Sequence, residues 1–307
     1  WAVWKIPFLV NKEEYFLESY IKPCTEVSEL FPQEIGDDCA VIRSSSDLLV
    51  STDSSIEGVH FPANLNPYYI AYRSIAIAAS DILAMGSYPD GYLLSISHPQ
   101  PSDEWFNDFS KGILEFNKTH DTKLVGGDLS KGELNICVTV FGRAMQNIIK
   151  RSDAKENDNI YISNKLGLGA AGHKSFLKDN LSMPNQYMKP QLISKEVIFE
   201  LNTFINSAID VSDGLLLDLK RICKLSGKGA ELLVSKKLIF NDYEDLIAGD
   251  DYVLLFTAND NNDEQITALL PHSRMIGKIT KEKKLQVNDL DGKEVNFDTF
   301  GWDSFKT

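Results

Sequence analysis

Basic residues are the scarce component of this chain: 31 lysines and arginines stand against 44 aspartates and glutamates, a formal charge of −13. That balance excludes a concentrated basic surface, and with it direct binding to nucleic acid or to an anionic membrane. Hydrophobic residues make up 43% of the 307 positions. No apolar run approaches the roughly 20 residues that a membrane helix requires. Cysteine is sparse as well. Cys24, Cys39, Cys137 and Cys223 are far apart and form no CxxC pair, so they read as reduced, buried thiols of a cytoplasmic protein. Five histidines, at 60, 98, 120, 173 and 272, give neither HxxxH nor HExxH, which removes the usual zinc patterns. No serine lies in GxSxG, no signal-peptide pattern opens the chain at Trp1, and no short-period repeat is present.

What is there is an alternation of strand and helix signals, predicting an α/β (α+β) fold. Strands are expected at 38–42, 47–53, 92–97, 123–126 and 135–142. Asn66-Pro67 opens a helix that stops near Gly86, and Ser102 caps a second with Asp103 and Glu104 in its first turn. The polar stretch 145–159 makes the best domain boundary, giving domains 1–147 and 148–307. Beyond it, strands are expected at 160–163, 230–234, 252–257 and 275–280. Helices are expected near 170–180 and 191–206, and a third runs to Ser226 from a cap at Ser212.

Gly167-Leu168-Gly169-Ala170-Ala171-Gly172 spells GxGxxG between a strand and a helix, the context of a dinucleotide fold. No strand ending in an acid follows about 20 residues on; Met183-Pro184-Asn185-Gln186 stands there instead. A P-loop reading fails too, because His173 intrudes between Gly172 and Lys174. A tight strand-to-helix turn is the simpler reading.

The most informative feature is where the aspartates sit. Ile35-Gly36-Asp37-Asp38, Ser51-Thr52-Asp53, Ser80-Asp81, Gly126-Gly127-Asp128 and Asp210-Val211-Ser212-Asp213-Gly214 each stand where an apolar run ends, beside glycines rather than lysines. Any one alone is an ordinary turn. Together they mark the element ends where α/β proteins collect ligands. Converging carboxylates repel unless cations join them, and hard oxygen donors around a phosphate-sized space suit magnesium. The pattern implies a nucleotide-dependent enzyme that uses several magnesium ions.

These motifs, read with Glu57-Gly58-Val59-His60-Phe61, Gly142-Arg143-Ala144, Arg151-Ser152-Asp153-Ala154 and Gly301-Trp302-Asp303, run through nearly the whole chain in order. In spelling and order they resemble the thiamine-monophosphate kinase family, whose fold is that of the aminoimidazole-ribonucleotide-synthetase superfamily. The resemblance implies an N-terminal domain that binds ATP and magnesium and pairs in a homodimer, and a C-terminal α/β domain closing over the site. It implies transfer of phosphate from ATP to thiamine monophosphate. Asp38, Ser51, Thr52, Asp53, Asp81, Asp128, Asp210 and Asp213 would surround the magnesium ions, and Asp53, Asp81, Asp128 and Asp210 would carry the catalysis. Gly127, Asp128, Arg151 and Ser212 would lie against the nucleotide phosphates. His60, Asp250 and Trp302 would contact the thiamine substrate. The family's Gly-Gly-Glu-Asp-Tyr-Glu stands here as Ala248-Gly249-Asp250-Asp251-Tyr252-Val253, one methylene shorter at 250, and the stretch from Lys228 to Ala248 is short.

The chemistry agrees with the composition. Phosphoryl transfer asks mainly for positioning and charge neutralisation. A phosphate acceptor is already largely ionised at neutral pH, so no general base is needed. The rival reading is an amidine-forming synthetase of the same superfamily, acting through a phosphorylated intermediate. A selenophosphate synthetase is disfavoured by the lack of a reactive cysteine in a Gly-rich N-terminal loop. The hydrogenase-maturation relative is disfavoured because no cysteine ends Gly301-Trp302-Asp303-Ser304-Phe305-Lys306-Thr307.

Overall fold

In the computed structural model, residues 40–43, 47–100, 102–179 and 185–303 are described. Strands β1 (Ala40–Arg43), β2 (Asp47–Ile56), β3 (Gly91–Ser97), β4 (Lys123–Ser130) and β5 (Asn135–Arg143) form a sheet in the order β1-β2-β5-β3-β4. Only β3 and β4 run parallel. Period-two alternation sends Ile136, Val138 and Val140 of β5 to one face, with Leu49 of β2 and Leu94 of β3. On that face lie α1 (Pro67–Ala84) and α2 (Asp103–His120). Helix α1 is apolar nearly all round, as a buried helix must be. Asn66 caps it by accepting the N–H of Tyr68 at 2.9 Å, and Ser102 caps α2 by accepting that of Trp105 at 3.2 Å. The opposite face leaves Thr52, Ile56 and Leu93 exposed.

The second sheet takes the order β11-β8-β10-β6-β9-β7. Its strands are β6 (Asn159–Ile162), β7 (Ile205–Asp210), β8 (Gly229–Val234), β9 (Leu254–Ala258), β10 (Arg274–Thr280) and β11 (Leu285–Asp289). Helices α3 (Leu168–Asp179), α4 (Asn185–Met188), α5 (Lys195–Leu201), α6 (Leu215–Ser226) and α7 (Asp263–Leu269) accompany it. A third apolar cluster joins the two sheets. Leu83 and Ala84 from the end of α1, with Tyr88 and Ile149, pack against Tyr161, Ile198, Leu201, Ala208 and Phe256. Each large side chain buried there contributes about 1.5–3 kcal/mol, which fixes the end of α1 against β7 and β9.

The structure departs from the sequence reading at several places. The helix expected over 191–206 is only Lys195–Leu201. Asn202 ends it, and the following apolar run enters the sheet as β7. Strand β9 begins at Leu254 rather than 252, because Tyr252 has φ +51, outside the strand region. Ser212 does not cap α6. The cap position is Gly214, at φ +118 and with no side-chain cap bond. The Gly126-Gly127-Asp128 cluster lies inside β4 rather than at a strand end. Gly127 is what allows this: at φ +155 it passes so close to β3 that a Cβ would meet the Leu94 carbonyl oxygen at 1.9 Å.

Candidate functional site

Ser80 and Asp81 lie in the last turns of α1, where the helix points at the end of β7. Ser80 Oγ donates to Asp210 Oδ2 at 2.8 Å, tying a motif of the first half to one of the second. One residue on, Asp81 Oδ2 accepts Ser51 Oγ at 2.5 Å, which brings in β2. Ser51, Asp81 and Asp210 therefore meet through two hydroxyl bridges. A narrow cleft beside them is lined by Ser163, Gln191, Ile193 and Tyr252.

Asp53 lies two residues along β2 on the same face as Ser51. Burial raises its carboxyl above the usual range and the charge of Asp213 raises it further, while the Ser54 amide and Arg73 pull it down. The acids thus feel one another across the junction. Thr52 points to the other face, where its hydroxyl pairs with that of Thr139 at 2.8 Å.

The turn Asp210–Gly214 is held from two sides. Asp250 N–H donates to Ser212 O at 2.7 Å and Tyr252 N–H to Val211 O at 2.8 Å, clasping the 248–253 loop to it. Trp302 N–H donates to Asp213 O at 2.7 Å, so the half-exposed indole stands beside the turn. Asp213 pairs with Arg221 at 2.7 Å, and the same guanidinium meets the buried Asp218 at 2.6 Å. Burial pushes the Asp218 carboxyl up, against the pull of Arg221. Arg151 begins a short 3-10 turn, Arg151–Asp153. Its carbonyl accepts Ser226 Oγ at 2.9 Å, and its charge is felt at Asp218.

Asp250 and its neighbours carry unusual backbone. Gly249, Asp250 and Tyr252 have φ of +69, +64 and +51, and the two non-glycine residues cost on the order of 1–3 kcal/mol each. Several bonds hold them. Asp250 pairs with Arg73 of α1, a side chain only 2% exposed. Asp251 accepts Gly167 N–H at 2.8 Å and Gly169 N–H at 3.0 Å. Gln186 donates to the Asp251 carbonyl at 2.9 Å. His60 is near the same pair: burial and the Arg73 charge lower its pKa, while Asp250 pulls it back up. Its Nδ1 accepts the Ile56 N–H at 3.0 Å, which places the proton of the neutral ring on Nε2.

Asp53, Asp81, Asp210, Asp213, Ser51, Ser212, His60, Asp250 and Trp302 are therefore placed around one junction. Asp128 and Gly127 stand apart from it. Asp128 is in register with Ser95 on an exposed stretch of β4, and β5 and β3 intervene between it and β2. Three strand spacings separate them, about 14 Å. Asp38 lies outside the described residues. Among the described residues, no three histidine, cysteine or acidic side chains converge closely enough to hold a metal ion. The reason is visible in the bonds: the carboxylates of Asp81, Asp210 and Asp213 are turned onto Ser51, Ser80 and Arg221. The donor set is nonetheless all hard oxygen, and Asp53 carries a burial and repulsion load that a cation would relieve. It fits magnesium rather than zinc or iron.

Sequence reasoning missed Arg73, Tyr187 and Arg221. Arg73 had a signal: with Asp81 it is one of two charged residues in an otherwise uncharged helix. Tyr187 and Arg221 had none, because their roles depend on tertiary placement.

The family described as AIR synthase related protein, N-terminal domain, matches residues 36–144. A thiamine-monophosphate kinase of Buchnera aphidicola (subspecies Schizaphis graminum) is 36% identical, covering 81% of this chain and 85% of that protein. One from Escherichia coli K12 is 31% identical, covering 89% and 92%. A solved structure, AaThiL complexed with AMPPCP and TMP, superposes with a TM-score of 0.82 at 27% identity, covering 98% of this chain and all of that one. The order of acidic motifs, the two-sheet fold and these likenesses converge: the chain belongs to the thiamine-monophosphate kinase family.

Proposed function

We propose that this chain transfers the γ-phosphoryl group of ATP to the phosphate of thiamine monophosphate, giving thiamine diphosphate and ADP. The observation that carries the reading is the 2.8 Å Ser80–Asp210 bond, which brings an acidic motif from each half to one place. The relatives' shared name supplies the acceptor, and the structural relative with AMPPCP and TMP supports a ternary site. An acceptor phosphate oxygen forms a bond to the γ-phosphorus as the bond to the β–γ bridging oxygen breaks, and ADP leaves with that oxygen. No protein group takes a proton, since a phosphomonoester is largely ionised above about pH 6.

Thr52, on the opposite sheet face, and Asp128, three strands away, lie too far from the junction to share the same ions. Asp53, Asp81, Asp210 and Asp213, with the Ser51 hydroxyl and with Asp38, would hold magnesium. Bound there, magnesium neutralises two polyanions whose unit charges, about 4 Å apart, repel by about 4 kcal/mol at an effective dielectric near 20. Ser212 and Arg151 lie against the nucleotide phosphates in this reading, the arginine as a planar fork. The His60 Nε2–H and the Trp302 indole face the thiamine, whose cationic ring a π-face attracts. The exposed face of the first sheet, with Ile56 and Leu93, is the surface on which two copies pair as a homodimer. We divide the chain into domains 1–147 and 148–307, a reading supported by the change of sheet between β5 and β6. No helix among the described residues is long and apolar enough to cross a membrane. Widely spaced cysteines without a CxxC pair support a cytoplasmic place for the enzyme.

The test is incubation with ATP, magnesium and thiamine monophosphate, with chromatography of the products. Thiamine diphosphate formed one-for-one with ADP is expected. ATP bound but no thiamine diphosphate formed would reject the acceptor. Label left on the protein after ATP alone would reject direct transfer.

A further inference from the structure

Asp250 stands at the loop position from which an acidic side chain would be expected to reach the substrate. Its carboxylate is engaged elsewhere. Arg73, buried in α1, donates one guanidinium arm to Asp250 and the other to the Tyr187 carbonyl at 2.7 Å. The guanidinium carbon lies over the Tyr187 ring, 4.3 Å from its centroid, and over the Tyr252 ring at 5.6 Å. Tyr187 is in turn stacked on His173, with ring centroids 5.3 Å apart. Aromatic faces that could receive a cationic ligand are thus already filled by a cation of the protein itself. The Arg73 Nε is buried without a hydrogen-bond partner among the described residues. A group this deeply buried is costly, and it persists because its charge is paired and boxed in.

The placement explains what the pair does. Arg73 precedes Ser80 by seven residues on α1, about 10 Å along the helix. One end of this stretch holds Asp210 through Ser80, and the other holds the 249–252 loop through Asp250. Asp250 also returns a backbone bond to Ser212, inside the acidic turn. The charge of Arg73 reaches both Asp53 and His60.

We propose that Arg73 and Asp250 are a positioning pair. Asp250 acts through Arg73 rather than by touching the substrate, and the pair clamps the strained 249–252 loop onto α1 so that the Asp210–Gly214 turn faces Asp53 and His60. The shorter side chain at 250 is suited to this, because it meets a fixed guanidinium and not a ligand. The inference rests on the kinase reading above.

The experiment is steady-state kinetics on the full chain, comparing wild type with Asp250→Asn, Arg73→Met and the double variant, each checked for folding by circular dichroism. Asp250→Asn is expected to lower kcat by about 10- to 100-fold with KM for thiamine monophosphate changed less than about 3-fold. The double variant is expected to be no worse than the poorer single one, because both remove one unit. A tenfold rise in that KM with kcat intact, or losses that multiply in the double variant, would overturn the proposal. If Arg73→Met does not fold, Arg73→Lys keeps the charge but loses the fork, and should reproduce the kcat loss of Asp250→Asn; wild-type kinetics there would also overturn it. The His60 titration, followed by NMR on the same proteins without substrate, reads the pair independently of turnover. Its pKa should rise in Arg73→Met, stay near the wild-type value in Arg73→Lys, which keeps the charge, and fall in Asp250→Asn. Movement of the pKa in a protein that makes no thiamine diphosphate would retain the pair and reject the kinase reading. No movement in any variant would reject the pair.

Discussion

Among the described residues, two of the glycine-bearing turns between a strand and a helix have opposite fates. The turn before α3 spells GxGxxG, the stronger signal for phosphate binding. Its two leading amides, Gly167 and Gly169, are bonded to the buried carboxylate of Asp251. A Cβ on Gly169 would meet the Asp250 carbonyl oxygen at 1.9 Å, so this glycine serves close packing of the chain on itself. The turn before α6 has no such spelling. Its cap residue Gly214 has no side chain to cap the helix; the Asp213 N–H donates to the buried Asp218 at 3.2 Å, and Ser212 and Asp213 stand at the junction with Asp53 and Asp81. A helix N-terminus is available to a ligand only to the extent that internal side chains leave its amides free. What the spelling lacks is knowledge of where Asp251 will lie.

The largest effect is expected at the open turn. Asp210→Asn keeps the acceptor for Ser80 but removes the charge, and should lower kcat by about 1000-fold or more with an unchanged circular dichroism spectrum. Asp53→Asn should do the same and raise the thermal midpoint in the absence of magnesium, since burial and Asp213 both oppose the charged form. Normal turnover in either variant would break the assignment.

At the closed turn the effect is on stability. Asp251→Ala leaves two buried amides without partners, at about 1–3 kcal/mol each, and should shift the urea midpoint without changing the KM for ATP more than about threefold. A large gain in ATP affinity would mean that the freed amides bind phosphate, and the contrast would fail.

A pH series sharpens the same point. Burial pushes the Asp251 carboxyl up to about 7 from 3.8, against the pull of its two amides. The folded state therefore binds the extra proton, and stability from this group is full below about 3.8 and lost as pH rises through 7. Wild type minus Asp251→Asn should show that slope in urea midpoints between pH 5 and 7.5. His120, buried between Tyr72 and Tyr88 and lowered to about 4, works in the opposite sense. It is neutral in the fold, so its contribution is lost as pH falls from 6.5 toward 4. Taking the difference between variants separates the two. The smallest effect is expected for Lys174→Ala, which removes the exposed lysine a P-loop would need and should change the KM for ATP by less than about twofold.

Much of this was legible in the chain. Asn66 and Ser102 cap the helices that the sequence assigns to them, and the period-two pattern of β5 places its core face. Asp53, Asp81 and Asp210 are found around one junction because α1 is long and apolar enough to pass between both sheets. Other features were not legible. Strand β7 follows α5 after a few residues of mixed pattern, so its start was hidden within the expected helix. Gly126-Gly127-Asp128 reads as a strand end, yet the bare Cα of Gly127 lets β4 continue past Leu94. The engagement of Asp250 by Arg73 joins residues 177 positions apart, and only the packing of α1 against the 249–252 loop reveals it.

The measurement that bears most directly on this account is calorimetric titration of a non-hydrolysable ATP analogue, at saturating magnesium, into wild type, Asp210→Asn and Lys174→Ala. Affinity is expected to weaken tenfold or more in Asp210→Asn and to stay within twofold of wild type in Lys174→Ala. The reverse pattern would place the nucleotide at the Gly167 turn and contradict it.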